Sequence, residues 1–280
     1  MKKRLFPLHS LRKVRKSYCI FQVECFSHFL IEYKLAIVPS FPLLALGRTK
    51  TRSRMKKIGL IGGTSWHSTI VYYRLINEMV GEKIGTQGNP EMLIYSLNIE
   101  LMRAQDKEKI NAKYLEIALT LQAAGAKALV ICANTPHMVY EYVQPQIAIP
   151  LLHIADAIGK EAQKKNLKTL GLLGNRPTIT GDFIPSRLEK KFNIQTIVPD
   201  GEYIDQNHHY VSKELTQGVF SEESKMFFLE QMRLLQKKGA EGVILGCTEL
   251  PMLIDETDFD LPLIATTALH ARMAADFILE

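Results

Sequence analysis

The sequence predicts an α/β fold made of two homologous halves, and three observations carry that prediction. From Met55 onward, short apolar runs bounded by Gly, Asn or Pro alternate with longer stretches of helical period, the pattern of βα units around a parallel sheet. The chain also repeats itself: Gly59-Leu-Ile-Gly-Gly63 recurs as Gly171-Leu-Leu-Gly-Asn175, and Ile149-Pro-Leu-Leu152 as Leu261-Pro-Leu-Ile264, each 112 residues later. A third pair, Gly125-Ala-Lys-Ala-Leu-Val-Ile-Cys-Ala-Asn-Thr135 and Gly239-Ala-Glu-Gly-Val-Ile-Leu-Gly-Cys-Thr-Glu249, is offset by 114. In that register Ala133 is the counterpart of Cys247, Asn134 of Thr248 and Thr135 of Glu249.

The first 54 residues stand apart from this pattern. They carry twelve Lys and Arg against Glu24 and Glu32, a net +10, whereas the whole chain is only +6, so the remainder is −4. The basicity therefore belongs to a leader and not to a face of the folded body, which argues against nucleic acid and anionic membrane as partners. Glu24, His28, Glu32 and Lys34 interrupt every apolar run there, so a membrane helix is not expected. The reading adopted is that Met55 is the natural start and residues 1–54 are an upstream extension, with an organelle transit peptide as the alternative. With 280 residues, 46% of them apolar and 23% charged, the chain is long enough to bury one large core or two smaller ones. Four scattered cysteines, Cys19, Cys25, Cys132 and Cys247, do not make a disulfide framework, and a reducing cytoplasm is expected.

The run Met55-Lys-Lys-Ile-Gly-Leu-Ile-Gly-Gly63 reads as a short basic N-terminus feeding a buried first strand, and Gly62-Gly63-Thr64-Ser65 after it forms a loop whose N–H groups suit an anion. Neither G-x-G-x-x-G nor a Walker lysine is present, so no dinucleotide or ATP is assigned. In each half a helix ending in Gly leads into a buried strand and then a polar cluster, and the carboxyl ends of parallel strands are where ligands of open α/β sheets bind. Two such ends facing each other would make a site between the halves. Asn134-Thr135-Pro136-His137 supplies an amide and a hydroxyl suited to a carboxylate, and His137 is either a proton carrier or a core histidine. Cys247 sits where a strand hands over to a helix, with Thr248 as the expected cap, a setting that lowers thiol pKa. Glu249 is placed to orient the thiol. His208-His209 reads as exposed linker, and no metal-ligand spacing is found, so neither a metal nor another cofactor is expected.

Gly59-Leu-Ile-Gly-Gly-Thr-Ser-Trp66, Cys132-Ala-Asn-Thr-Pro-His137 and Gly246-Cys-Thr-Glu-Leu-Pro251, in that order, resemble three signatures of the aspartate/glutamate racemases, over essentially all of residues 55–280. The resemblance implies two flavodoxin-like domains related by a pseudo-twofold, with the active site between them. One would comprise residues 55–155 with the C-terminal helix 266–280, the other residues 156–265. It further implies no pyridoxal phosphate or metal, commonly a homodimer, and acidic or polar amino acids as substrates. Cys247 would be the catalytic thiol; Asn134, Thr135, Thr248 and Glu249 would contact substrate or thiol, and Thr64, Ser65, Asn98 and Thr178 would form the rim.

Members of the family place one cysteine from each half on opposite faces of the α-carbon. Here the second position is Ala133, and strand alternation turns Cys132, one residue earlier, away from the cleft. Three readings follow: a racemase in which Thr135, a water or a displaced Cys132 serves the second face; a single-cysteine enzyme resembling the arylmalonate decarboxylases; or a binder of a small carboxylate or amino acid. The chain reads Ser96-Leu-Asn-Ile-Glu100 where aspartate racemases show an Arg after the second strand, and Arg176 is the alternative cation. Ala265-Thr266-Thr267 replaces the Asp of the family's last signature, with its hydroxyls as expected caps.

Overall fold

A computed structural model describes residues 55–280, so the expectations for residues 1–54 lie outside the described residues. The first half runs β1 (Ile58–Gly62), α1 (Trp66–Ile84), β2 (Met92–Ser96), α2 (Glu100–Arg103), α3 (Lys107–Ala123) and β3 (Ala128–Ile131). A 3-10 turn, Thr135–Val139, then leads into α4 (Tyr140–Val143), β4 (Leu151–Leu152) and α5 (Ile154–Lys164). The second half runs β5 (Thr169–Leu173), α6 (Arg176–Thr180), α7 (Pro185–Phe192), β6 (Gln195–Ile197), α8 (Gly201–His209) and α9 (Glu222–Lys237). It closes with β7 (Gly242–Leu245), α10 (Leu250–Leu253), β8 (Leu263–Ala265) and α11 (Thr266–Leu279). Among the described residues no helix is long and apolar enough to cross a membrane.

Both sheets are parallel and four-stranded, with orders β2-β1-β3-β4 and β6-β5-β7-β8, the flavodoxin-like arrangement expected. The central strands β1, β3 and β7 are buried at every residue, which is why they read as unbroken apolar runs. Their registers match: Ile58 pairs with Ala128 and Leu170 with Gly242, Ile61 with Ile131 and Leu173 with Leu245. The sequence repeat is thus a repeat of hydrogen-bonded positions.

Local chemistry fixes the helix starts. Ser65 accepts from the Ser68 N–H at 3.2 Å to cap α1, and Asp106 accepts from the Lys109 N–H at 3.1 Å to cap α3. Between β1 and α1 the backbone of Gly63 lies at φ 91°, and a Cβ there would fall 2.1 Å from the Leu97 carbonyl oxygen, so only glycine is accommodated. His208 and His209 form the last turn of α8 and not a linker, because the helix begun at Gly201 carries through them and buries Asn207.

The last helix of each half packs against the sheet of the other. On α11, Ala271, Ala274, Ala275 and Ile278 join Ile58 and Leu60 of the first sheet and Tyr72, Ile76 and Val80 of α1 in one buried cluster. On α5, Ile154, Ala155, Ile158 and Ala162 pack with Leu170, Leu172, Ile244 and Ile264 of the second sheet. The exchange brings the carboxyl ends of the two sheets together. Thr135, just after β3, hydrogen-bonds Thr178 of α6 at 3.0 Å, and Asn134 donates to Thr266 at the start of α11 at 3.1 Å.

Candidate active site

Cys247 lies just past the end of β7. Gly246 N–H donates to Leu173 O as Cys132 N–H donates to Ile61 O, which makes Cys132 the structural counterpart of Gly246, and Ala133 that of Cys247. The Cys132 side chain accordingly turns into the core, where it is 1% exposed among the residues of β1, α1 and α11. Burial pushes its thiol well above the ordinary range. A methyl group therefore occupies the position across the repeat from Cys247.

The Cys247 thiol is half-buried and donates to Glu249 Oε2 at 2.7 Å, and the Thr248 hydroxyl donates to the same oxygen at 2.7 Å. Glu249 itself is 6% exposed. The thiol pKa is raised, not lowered as the helix start led one to expect. Burial, then the charge of Glu249, then the hydrogen bond to Glu249 raise it well above the ordinary value, outweighing the Glu249 and Leu250 N–H groups that act in the opposite sense. Thr248 does not cap α10, because its hydroxyl is turned to Glu249, and Glu249 occupies the cap position without a side-chain cap bond.

On the facing turn, Asn134 is 5% exposed. Its amide orientation follows from its partner: Thr266 Oγ1 gives its hydrogen to Leu245 O, so it accepts from Asn134 Nδ2. That leaves Asn134 Oδ1 buried without a hydrogen bond, an acceptor awaiting a donor. The expected capping by Thr266 and Thr267 is not seen; Ala265 stands at the cap of α11 with no side-chain bond, since the Thr266 hydroxyl is committed to Leu245. Thr135 Oγ1 meets Asn175 Oδ1 at 3.2 Å and Thr178 Oγ1 at 3.0 Å. Asn175 escaped the sequence reading, although Asn-Arg-Pro after a strand is a helix-start signal; it caps α6 by accepting from the Thr178 N–H at 3.0 Å.

His137 belongs to the core. It is fully buried, and its Nδ1–H donates to Ala133 O at 2.9 Å and lies 3.1 Å from Asn134 O, holding the turn from behind. Its ring meets those of His153 and His270 at 4.8 and 5.2 Å between centroids. Burial lowers the pKa of His137 to about 4 and that of His270 to about 3, so both rings are neutral.

The rim residues divide. Thr178 is joined to the site through Thr135. Thr64 shares a hydrogen bond of 3.0 Å with Tyr114 OH, and Ser65 is occupied as the cap of α1. The Gly63 N–H, expected free for an anion, donates to Thr69 Oγ1 at 3.0 Å, so folding of α1 has already taken that donor. Asn98 is exposed and accepts from the Glu100 N–H at 3.0 Å; it lines a groove with Tyr95 and Lys109, whereas Thr135 lines a different one. Arg176 is exposed and pairs with Asp205.

The chain matches the family model described as Asp/Glu/hydantoin racemase over residues 61–274. It is 24% identical over 231 residues to the broad specificity amino-acid racemase RacX of Bacillus subtilis (strain 168), covering 77% of this chain and 95% of that protein. Among solved structures, an Asp/Glu racemase assignment from Yersinia pestis is 36% identical with a TM-score of 0.76, covering 81% of this chain and all (100%) of the other. An aspartate racemase homologue from Pyrococcus horikoshii OT3 is 34% identical with a TM-score of 0.72, covering 81% and 100%.

Proposed function

The chain belongs to the Asp/Glu/hydantoin racemase family, and from that premise we propose that it is a cofactor-independent amino-acid racemase, an isomerase, whose proton-transfer group is the thiol of Cys247. The observation that carries this reading is the 2.7 Å hydrogen bond from the thiol to Glu249 Oε2. A half-buried, protonated thiol is a poor base, and a carboxylate already holding its hydrogen is the group to receive it.

In the proposed sequence the thiol proton passes to Glu249, and the thiolate removes the substrate α-proton. A water held by Thr135 supplies the proton on the opposite face, where Ala133 has none to give. The hydroxide left behind is neutralised through solvent by the proton that Glu249 took, which restores the carboxylate while Cys247 keeps the substrate's α-proton as its thiol hydrogen. The carbanion is basic enough to take a proton from water, and the bonds from Thr135 to Asn175 and Thr178 orient the hydroxyl oxygen that would accept from such a water. The open Oδ1 of Asn134 accepts from the substrate ammonium, and on substrate binding the Thr248 hydroxyl exchanges its bond to Glu249 for one to the substrate carboxylate. The substrates belong to the acidic-to-polar range of the family resemblance, acting in the cytoplasm, with a homodimer as the assembly.

Ala133 also favours a second reading, in which Cys247 works from one face only, as in a single-cysteine decarboxylase-like enzyme. Incubation with L- and D-amino acids in D₂O, followed by NMR and chiral chromatography, separates the two. Racemisation gives deuterium incorporation with accumulation of the enantiomer, abolished in Cys247→Ala. Exchange with retained configuration assigns the one-sided reaction, and an inert panel sinks the racemase proposal.

A further inference from the structure

A cavity of about 250 Å³ opens beside Thr135. Its walls are Met102 of α2, Ile110 of α3, Met138 of the 3-10 turn and Pro177 of α6, so both halves contribute. Gln105 and Lys107, both exposed, complete it. The volume is several times the roughly 30 Å³ that one water takes in the liquid, and the site residue Thr135 is part of its lining.

We propose that this cavity receives the substrate's side chain and selects neutral, unbranched side chains of the length of methionine and glutamine over the carboxylates of aspartate and glutamate. The proposal rests on the racemase reading and moves its substrate class away from the acidic side chains toward neutral ones.

Charge is the first argument. A carboxylate entering an apolar enclosure loses its hydration and needs a well-placed cation in return, and a buried guanidinium fork is the usual supplier. Here Arg103 pairs with Glu100 at 2.6 Å and Arg176 pairs with Asp205, all four residues lying at the surface. Lys107 is exposed at the first residue of α3, where solvent screens any partner it takes. A neutral side chain meets no such cost and removes apolar surface from water against Met102, Ile110, Met138 and Pro177.

Shape is the second. Two methionines on opposing elements are unbranched and polarizable, and they adapt to straight side chains of differing tips, including a thioether or an amide. Gln105 in the lining is a neutral hydrogen-bonding group that a glutamine amide can use, and Thr135 adds no charge to the cavity.

Glutamate, glutamine and methionine have nearly equal length and differ in charge, so they isolate the effect. Rates of α-proton exchange in D₂O are measured on the full chain for alanine, aspartate and these three. The expected kcat/KM for methionine and glutamine is at least about tenfold above that for glutamate. Met138→Trp, which fills the cavity, lowers the methionine-to-alanine ratio of kcat/KM by about tenfold. Met102→Arg, on the half-buried short helix α2, moves preference toward glutamate and decides the matter should Met138→Trp fail to fold. Glutamate turning over as fast as glutamine, or Met138→Trp lowering methionine and alanine alike, overturns the proposal while leaving the racemase reading standing. If no amino acid exchanges, both fall.

Discussion

Glu249 has two roles that pull in opposite directions. Its negative charge and its hydrogen bond hold the proton on Cys247, yet the same carboxylate is the proposed acceptor of that proton. Replacing it with a neutral isostere separates them. In Glu249→Gln the thiol pKa falls, so Cys247 holds more thiolate at pH 7. Its alkylation, followed by mass spectrometry of the Cys247 peptide, is expected to speed up several-fold to about tenfold. α-Proton exchange is expected to slow by about 100-fold or more as the base is lost. Slower alkylation in this variant would show that Glu249 activates the resting thiol instead of holding its proton in place. The neighbouring acceptor gives a second test: Asn134→Leu removes Oδ1, and KM for the amino acid is expected to rise by about tenfold, whereas an unchanged KM would show that Oδ1 does not meet the ammonium.

At the scale of elements, the two crossing helices carry the architecture. α11 reaches the first sheet through small residues, Ala271, Ala274 and Ala275, which allow close approach, and ends on Ile278, fully buried. Truncation of that side chain removes buried apolar atoms and leaves a cavity that the packed sheet cannot close. Ile278→Ala is expected to cost about 2–5 kcal/mol in denaturant unfolding. Ile158→Ala on α5, equally buried against the second sheet, belongs in the same range. A loss below about 0.5 kcal/mol at either position, the size of an ordinary surface substitution, would show that the helix is peripheral to its cluster. α10 illustrates the opposite case: four residues long, it contributes the N–H groups of its opening turn to Cys247, but these do not offset burial and a nearby carboxylate.

Across the whole molecule, the histidine cluster joins what the crossing helices bring together. His137 comes from the turn behind the site, His153 stands at the cap of α5, and His270 lies on α11, where it accepts from Tyr72 OH at 2.9 Å and donates to Leu152 O at 2.9 Å. All three are pushed below their ordinary pKa by burial. In the unfolded chain they bind protons near pH 6.5, whereas in the fold His137 holds off to about 4 and His270 to about 3. The unfolded state therefore carries more protons as pH falls below 6.5, and stability, complete above that value, is lost progressively down to about pH 4 for His137 and about pH 3 for His270. Asp156, the half-buried partner of Arg187, has a lowered pKa and loses its contribution only at lower pH, so it does not account for a decline that begins near 6.5. The melting temperature is expected to fall steadily between pH 7 and pH 5, less so in His270→Gln. A flat profile over that interval would remove the cluster as a determinant of stability.

The sequence by itself determined the parallel α/β architecture and the duplication, and it pointed to the candidate site. Those properties are written in local pattern: unbroken apolar strands, capping residues, and motifs repeating at 112 and 114 residues, which the matched strand registers translate directly into space. The inward turn of Cys132 and the methyl at Ala133 were legible for the same reason, since alternation along a strand is a local rule. What only the tertiary structure decided depends on distant residues meeting. The protonation of Cys247 is set by burial and by Glu249, not by the helix start that the sequence displays. The open oxygen of Asn134 follows from Thr266 giving its hydrogen to Leu245, and the Met102–Met138 cavity from two turns converging with α6. Burial, hydrogen-bond direction and cavity lining are properties of neighbours that the chain order does not contain.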